Sequence, residues 1–502
     1  MPVNISVKGL SKNGPEFQKI ADNLQGNILK SHARDHTSNI FFSISAGKVL
    51  QAKAFLRSLN VTSARTAALQ AESTNKNTLH TTCSLSAEGY RALGVSNGKT
   101  PQDPNFRGGM KASADTLGDQ PITWESDYRG SVHGIIILAM SGIGKPNAIG
   151  YTARPAALNT ATAQIVTAIK KFGTSFVQRG AGLTNPNGDG IEHNGYVDGI
   201  SQPKFFKEDV INPNTVTQWN PLSAWDLVLV ADPGAGVADA FGSYMVYRKL
   251  EQNVSAFKQA EEDLAQLLYG HLPTEEFDKV KELAGAMVVG RFENGMPVKV
   301  SDVDSHIRSD RPHGKIGIPV DDSQVGKINN FNYNSDGEGA KCPFHAHIRK
   351  SNPRGESAKF LADFGVTEEN ERRHTMARRG IPFGTRTDKP NGEVDAKDRP
   401  TGGLGLLFMS FQSDISNQFE FIQSTWVNNQ NFVKPDTGQD PIIGQSTSVN
   451  TMANGQYEYT QIYNEVGSKV KPVSSMSFEQ FVTMKGGEYF FSPSLNFLRN
   501  LI

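Results

Sequence analysis

Asp198, the histidine pair His345 and His347, and Arg378 have the types and settings for chemistry. Asp198 stands in Gly195-Tyr196-Val197-Asp198-Gly199-Ile200-Ser201-Gln202-Pro203, within a long Gly/Asn/Pro-rich connection that follows neither the helical nor the strand period. Taken alone, an aspartate between glycines spells a tight turn, because Asp bonds its own backbone and Gly supplies φ > 0. Connections this long in a compact domain are functional or disordered. Tyr196, Val197, Ile200 and Phe205-Phe206 give this one apolar anchors, so Asp198 is a candidate acid or base.

His345 and His347 lie in Cys342-Pro343-Phe344-His345-Ala346-His347-Ile348-Arg349-Lys350. Imidazole is a common metal ligand. Residues two apart share a face in a strand and stand about 200° apart in a helix, so spacing does not choose between the two. Zinc needs further ligands, and Asp336, Glu338 and Cys342 make no recognisable ligand spacing. Arg378, in Ala377-Arg378-Arg379-Gly380-Ile381-Pro382-Phe383-Gly384, stays cationic at any working pH and offers a planar fork of donors. The glycine and proline behind it suggest a rigid turn that aims it, while Arg372, Arg373 and Arg379 read as a surface charge cluster.

The run Gly-x-x-Asp-Gly followed by Ile-Ser-Gln-Pro resembles the fingerprint of the dye-decolourising peroxidases, a family of haem peroxidases. Other pieces of that pattern follow in order. Gln25-Gly26-Asn27-Ile28-Leu29-Lys30, with His32, Arg34 and His36 behind it, is similar to the family's opening motif; as structure it reads as an entry segment packed on the first domain. The His-Ile-Arg-Lys run places the family's proximal iron ligand at His347, with His345 where a small residue is common. Arg378 matches the distal arginine, and Leu406 and Phe408, on one face of a strand by alternation, match the distal wall. Asp440, in Asp440-Pro441-Ile442-Ile443-Gly444, matches the acid that holds the ligand's other ring N–H.

The resemblance implies one haem b per chain, held in the C-terminal half. It also implies reduction of hydrogen peroxide with Asp198 as distal acid/base and Arg378 stabilising the charge, through a ferryl state that oxidises anthraquinone-type dyes and phenols. An aspartate does the base's job at a lower pKa than a histidine, which predicts an acidic optimum. Bulky dyes require long-range electron transfer, for which Trp124, Trp219, Trp225, Trp426, Tyr457, Tyr459 and Tyr463 are candidates. The alternative is a haem-handling protein that binds haem or releases its iron. The implied fold is α+β: two ferredoxin-like domains with antiparallel sheets covered by helices, residues 1–215 and 216–502.

Periodicity supplies elements to carry these residues. Strands are predicted at Ile40 to Ile44, Leu79 to Leu85, Val132 to Met140 (buried on both faces), Leu227 to Val230 and Tyr244 to Tyr247. Helical stripes run along Val49 to Leu59 and along Ile165, Ile169, Phe172 and Phe176, with Gly180 as a stop. Phe257, Leu264, Leu267 and Leu268 predict another helix, and Thr274 is expected to cap one whose buried face carries Phe277, Val280, Leu283 and Met287. Gly403 to Gln412 reads as a buried strand and residues 415 to 423 as a helix, while 299 to 341 and 384 to 403 are polar connections.

At 502 residues the chain is long enough for two or three domains. Lys+Arg and Asp+Glu both total 51, so no basic excess points to nucleic acid. Two cysteines exclude a disulfide framework and leave at most one bridge. No apolar run approaches a membrane span and no secretory signal is seen, so the expected location is cytoplasmic, with an oligomer left open.

Overall fold

The structure, a computed structural model, describes residues 2–73, 77–209, 222–302, 329–392, 394–445, 456–459 and 473–501. The first half runs His36–Ile44 (β1), Val49–Ser58 (α1), His80–Ser86 (β2), Gly134–Met140 (β3), Ala156–Ile169 (α2) and Gly173–Ala181 (β4). These strands pair antiparallel in the order β2-β3-β1-β4, the ferredoxin-like arrangement. The second half repeats it. Phe241–Gln252 (β5) leads into helices Val254–Tyr269 (α3) and Thr274–Val289 (α4). The short helix His347–Ser351 (α5), Ile381–Phe383 (β6), Gly405–Gln412 (β7), the π-helical turns Ser416–Glu420 and Ile422–Val427, and Val482–Ser492 (β8) follow. The spatial order is β6-β7-β5-β8.

The two sheets close on each other. Phe490↔Ser86 and Phe491↔Leu85 join β8 to β2, and Phe383↔Gly180 joins β6 to β4, so one sheet of ten strands contains a closed ring of eight. Val230–Ala231 and Ala377–Arg378 pair at its margins. Aromatic side chains from both halves fill the ring: Phe41 stacks on Phe176 at 4.7 Å and meets Tyr247 edge-on at 4.8 Å. Burying each such ring contributes about 2–3 kcal/mol. β3 is buried along its whole length, as its unbroken apolar run predicts.

The seams are short, and the opening segment reinforces one of them. Buried Gln25 donates through Nε2 to Cys83 O of β2 (2.7 Å) and to Pro493 O just beyond β8 (2.8 Å), and its Oε1 accepts from Cys83 N (2.9 Å). The motif thus bridges the halves as well as packing on the first.

Several local expectations are corrected. The helical stripe ends at Ile169; Phe176 and Gly180 belong to β4, where Phe176 stacks on Phe41. Of Leu227 to Val230, Leu227 ends the turn Trp225–Leu227 and only Val230 enters a strand. Thr274 is the first helical residue and Pro273 the cap, since proline's fixed φ suits a helix entry. Leu267 is exposed at 51 %. Arg379 is no surface charge: it donates to Asn27 O (2.7 Å) and Ile28 O (2.8 Å) of the opening motif. The expected boundary at 215, Trp219 and Tyr463 lie outside the described residues.

Cys83 and Cys342 are buried and unbonded, and burial pushes both thiols up to about 12. Among the described residues no helix is long and apolar enough to cross a membrane.

The histidines set an acid limit on stability. Burial lowers His193 from 6.5 to about 4, against a bond to Phe383 O, and lowers fully buried His80 well below 6.5. An unfolded histidine takes its proton as pH falls through about 6.5, and these folded ones do not, so stability is lost below that pH. For His193 alone the loss between pH 6.5 and 5 is about 1–2 kcal/mol. Urea midpoints are expected to fall over that range, and to fall less in His80→Leu, whose ring nitrogens find no partner among the described residues. An equal fall in both proteins would contradict this account.

Candidate active site

Alternation along β5 and β7 turns Arg248, Leu250 and Gln252, with Leu406 and Phe408, to the outside of the barrel. There they wall a cavity of about 300 Å³ that is closed by residues 192–203, by Val289 at the end of α4, and by His347 and Ile348 of α5. Asp198, Arg378, His347, Leu406 and Phe408 all line it, and Asp440 touches it through His347. His345 is buried and does not line it. Among the described residues no three His, Cys, Asp or Glu side chains gather as a metal site of their own.

The Asp198 loop is a short hairpin. Ile191 bridges Val197, Glu192 N donates to Tyr196 O (3.0 Å) and Asp198 N to Gly190 O (3.1 Å). Gly195 (φ 96°) and Gly199 (φ 78°) flank the aspartate in left-handed backbone that other residues rarely adopt. Val197 N donates to Glu293 O (3.1 Å) and ties the hairpin to the segment after α4. Asp198 Oδ1 accepts from Arg378 Nη1 at 3.1 Å, Arg378 Nη2 donates to Ser201 O (3.2 Å), and Arg378 N donates to Gln202 Oε1 (3.0 Å). The two residues that sequence places 180 positions apart share one wall.

Also in the cavity lining, His347 Nδ1 lies 2.6 Å from Asp440 Oδ2. Asp440 is fully buried and its Oδ1 accepts from Ile442 N (2.8 Å) and Ile443 N (3.0 Å). A carboxylate there accepts from Nδ1–H, so in the neutral ring the lone pair is on Nε2. Burial pulls the His347 pKa down, but the Asp440 charge and hydrogen bond, helped by Glu192, leave it above 6.5. Two residues on, buried Arg349 holds α5 in place by donating to Glu356 Oε2 (2.7 Å) and Asp336 Oδ2 (3.0 Å).

Sequence reasoning missed several cavity residues. Glu192 lines the cavity and is partly exposed; burial, then the Asp198 charge, raise it to about 7 against the Gln252 hydrogen bond, His347 and Arg378. Extending the period-2 reading of Tyr244 to Tyr247 would have found Gln252 and Arg248, whereas Glu192 had no signal but its nearness to Asp198. Arg291 and Arg354 line the cavity and are almost wholly buried. Arg354 donates to Asn329 O (2.6 Å) and Arg291 to Gly295 O (2.8 Å); burial, then Arg354, bring Arg291 down to about 9. They come from connections without periodicity.

Apolar walls, an imidazole with a free lone pair and two buried guanidiniums fit a flat iron-containing macrocycle that bears carboxylates. Comparison with known proteins agrees. Residues 23–150 match the family model described as the DyP dimeric alpha+beta barrel domain. The multifunctional dye peroxidase DyP2 of Amycolatopsis sp. is 40 % identical over 100 % of both chains. Its solved structure superposes with a TM-score of 0.82, at 38 % identity over 99 % of this chain and 100 % of that one. The crystal structure of a DyP-type peroxidase from Anabaena sp. gives 0.80, at 33 % identity over 100 % and 98 %. With that identity along its whole length, the chain belongs to the dye-decolourising peroxidases, a family of haem-dependent enzymes.

Proposed function

We propose that the chain binds one haem b and reduces hydrogen peroxide at the expense of dyes, anthraquinone-type ones included, and phenols. The observation that carries this reading is the Asp198–Arg378 pair, 3.1 Å apart, in the same cavity as the free nitrogen of His347. Bound haem supplies the iron at which the peroxide O–O bond is broken. His347 would ligate that iron, Leu406 and Phe408 would give the group apolar wall, and Arg291 and Arg354 would neutralise its carboxylates. Asp440, by accepting from Nδ1, makes the imidazole a stronger electron donor.

Asp198 accepts the proton from one peroxide oxygen and returns it to the other, which leaves as water. Arg378 donates to Asp198 and so aims it, and its fixed charge stabilises the departing oxygen.

Bulky dyes do not enter a cavity of about 300 Å³ walled in this way, so their electrons arrive from the surface. Trp124 and Trp225 are fully buried among other core rings. The described part of Tyr457 and Tyr459 is their backbone in the strand Gln456–Tyr459. Trp426 follows Ile422 and Gln423 of the cavity wall by one turn. It stacks on Phe432 (5.3 Å) and meets Phe421 (5.4 Å) and His374 (5.3 Å), the last partly exposed. We assign it the relay.

Asp198→Asn is expected to slow the reaction with peroxide about 10²–10⁴-fold while retaining the ferric Soret band; reaction at the wild-type rate would place the base elsewhere. His347→Ala is expected to lose that band. Because haem takes the neutral imidazole and the Asp440 charge and hydrogen bond raise His347 above the ordinary imidazole value, haem uptake by the apoprotein, followed by the Soret band, should weaken as pH falls, with a midpoint above that ordinary value. Asp440→Asn should move the midpoint down. Trp426→Phe should depress oxidation of a bulky anthraquinone dye far more than that of a small phenol, and equal losses would remove Trp426 from the route.

A further inference from the structure

The cavity holds a second carboxyl group that the scheme above leaves unused. In the hairpin, Gly190 stands opposite Asp198, Ile191 opposite Val197 and Glu192 opposite Tyr196. Directly opposed residues share a face, so Glu192 is the diagonal neighbour of Asp198 on the cavity side, and such neighbours lie about 7–8 Å apart. Gly190, opposite Asp198, interposes no side chain. Glu192 Oε2 accepts from Gln252 Nε2 at 2.7 Å. Gln252 is 93 % buried on the cavity wall, and its Oε1 finds no partner among the described residues. An amide acceptor left open in this way calls for a donor inside the cavity, and water meets that call where several polar groups converge.

Peroxide reduction creates a need for such a station. Converting one hydrogen peroxide to two waters consumes two electrons and two protons; electrons relayed from the surface bring no protons with them. We propose that Glu192, oriented by Gln252, supplies these protons to Asp198 through water held at Gln252 Oε1. Glu192 gives up its proton to that water as the water protonates Asp198, Asp198 passes the proton to the oxygen that becomes the second water, and Glu192 is reprotonated from solvent before the next electron arrives. Glu192 touches neither peroxide nor haem and acts only through Asp198, so this inference rests on the acid/base reading of Asp198. The charged groups around it are Asp198 on the same hairpin, Arg378 beside Ile381–Phe383 and His347 of α5, and burial with the Asp198 charge keeps a proton on it near neutrality.

The test compares the haem-loaded wild type, Glu192→Gln, Glu192→Asp and Asp198→Asn. Turnover with an electron donor is expected to drop about tenfold in Glu192→Gln, with its alkaline limb altered, and to recover in Glu192→Asp. Infrared spectra of the resting enzymes should show a protonated-carboxyl stretch that Glu192→Gln lacks. That stretch should persist to a lower pH limit in Asp198→Asn, where the neighbouring negative charge is gone. Wild-type turnover in Glu192→Gln at every pH, or a stretch whose titration ignores Asp198→Asn, overturns the proposal. Should Glu192→Gln not fold, the infrared comparison of wild type and Asp198→Asn decides by itself. Peroxide reaction at wild-type speed in Asp198→Asn overturns the Asp198 reading and this one together, whereas an unmoved stretch overturns only this one.

Discussion

Closing antiparallel strands into a ring gives each strand one face for the interior and one for the outside, and the site depends on that division. On β5, Tyr247 joins Phe41 inside while Arg248, Leu250 and Gln252 face the cavity. On β7, Leu407 and Met409 are buried and Leu406 and Phe408 form cavity wall. A slip of one residue would exchange the two sets, sending an arginine and an amide into an aromatic core. The barrel core therefore sets the register of the cavity wall, and the long ladders of β5 with β7 and β8 maintain it.

Much of this was legible in the sequence where chemistry and local period coincide. The Leu406/Phe408 face followed from alternation, and Asp198, Arg378, His347 and Asp440 came from motif resemblance; the structure places all of them at one cavity. The ferredoxin-like halves were implied as well, but not that they share a ring, because strand pairing between halves leaves no local pattern. Phe176 shows the opposite failure. It continues the spacing of Ile165, Ile169 and Phe172, yet its ring belongs to the barrel core, and tertiary packing overrides the helical stripe. Arg379 read as surface charge because nothing local to it reveals that residues 27 and 28 supply its acceptors.

The site's electrostatics are organised by burial. Three N–H groups converge on the two oxygens of buried Asp440, and removal of such partners typically costs several kcal/mol. Arg349 is held in the same way, between Glu356 and Asp336. These pairs are weak evidence for stability, since apolar replacements often do as well. Their consequence is orientation: Asp440 fixes the tautomer and plane of His347, and Arg349 fixes the helix that carries it. Glu192, by contrast, accepts from the neutral Gln252 amide, and burial with the Asp198 charge favours its protonated form.

The opening motif connects these levels. Its Gln25 ties β2 to the end of β8, where the ring is closed by Phe490↔Ser86 and Phe491↔Leu85. Two residues later, Asn27 and Ile28 accept from Arg379, which also donates to Arg378 O (2.8 Å). The backbone of Arg378 is thereby fixed from its C-terminal side, while Gln202 fixes it from the hairpin. An arginine has four rotatable side-chain bonds, and its guanidinium meets Asp198 in one geometry only if that backbone does not move. A segment with no group in the cavity thus anchors both the closure of the barrel and the aim of the cation inside the site.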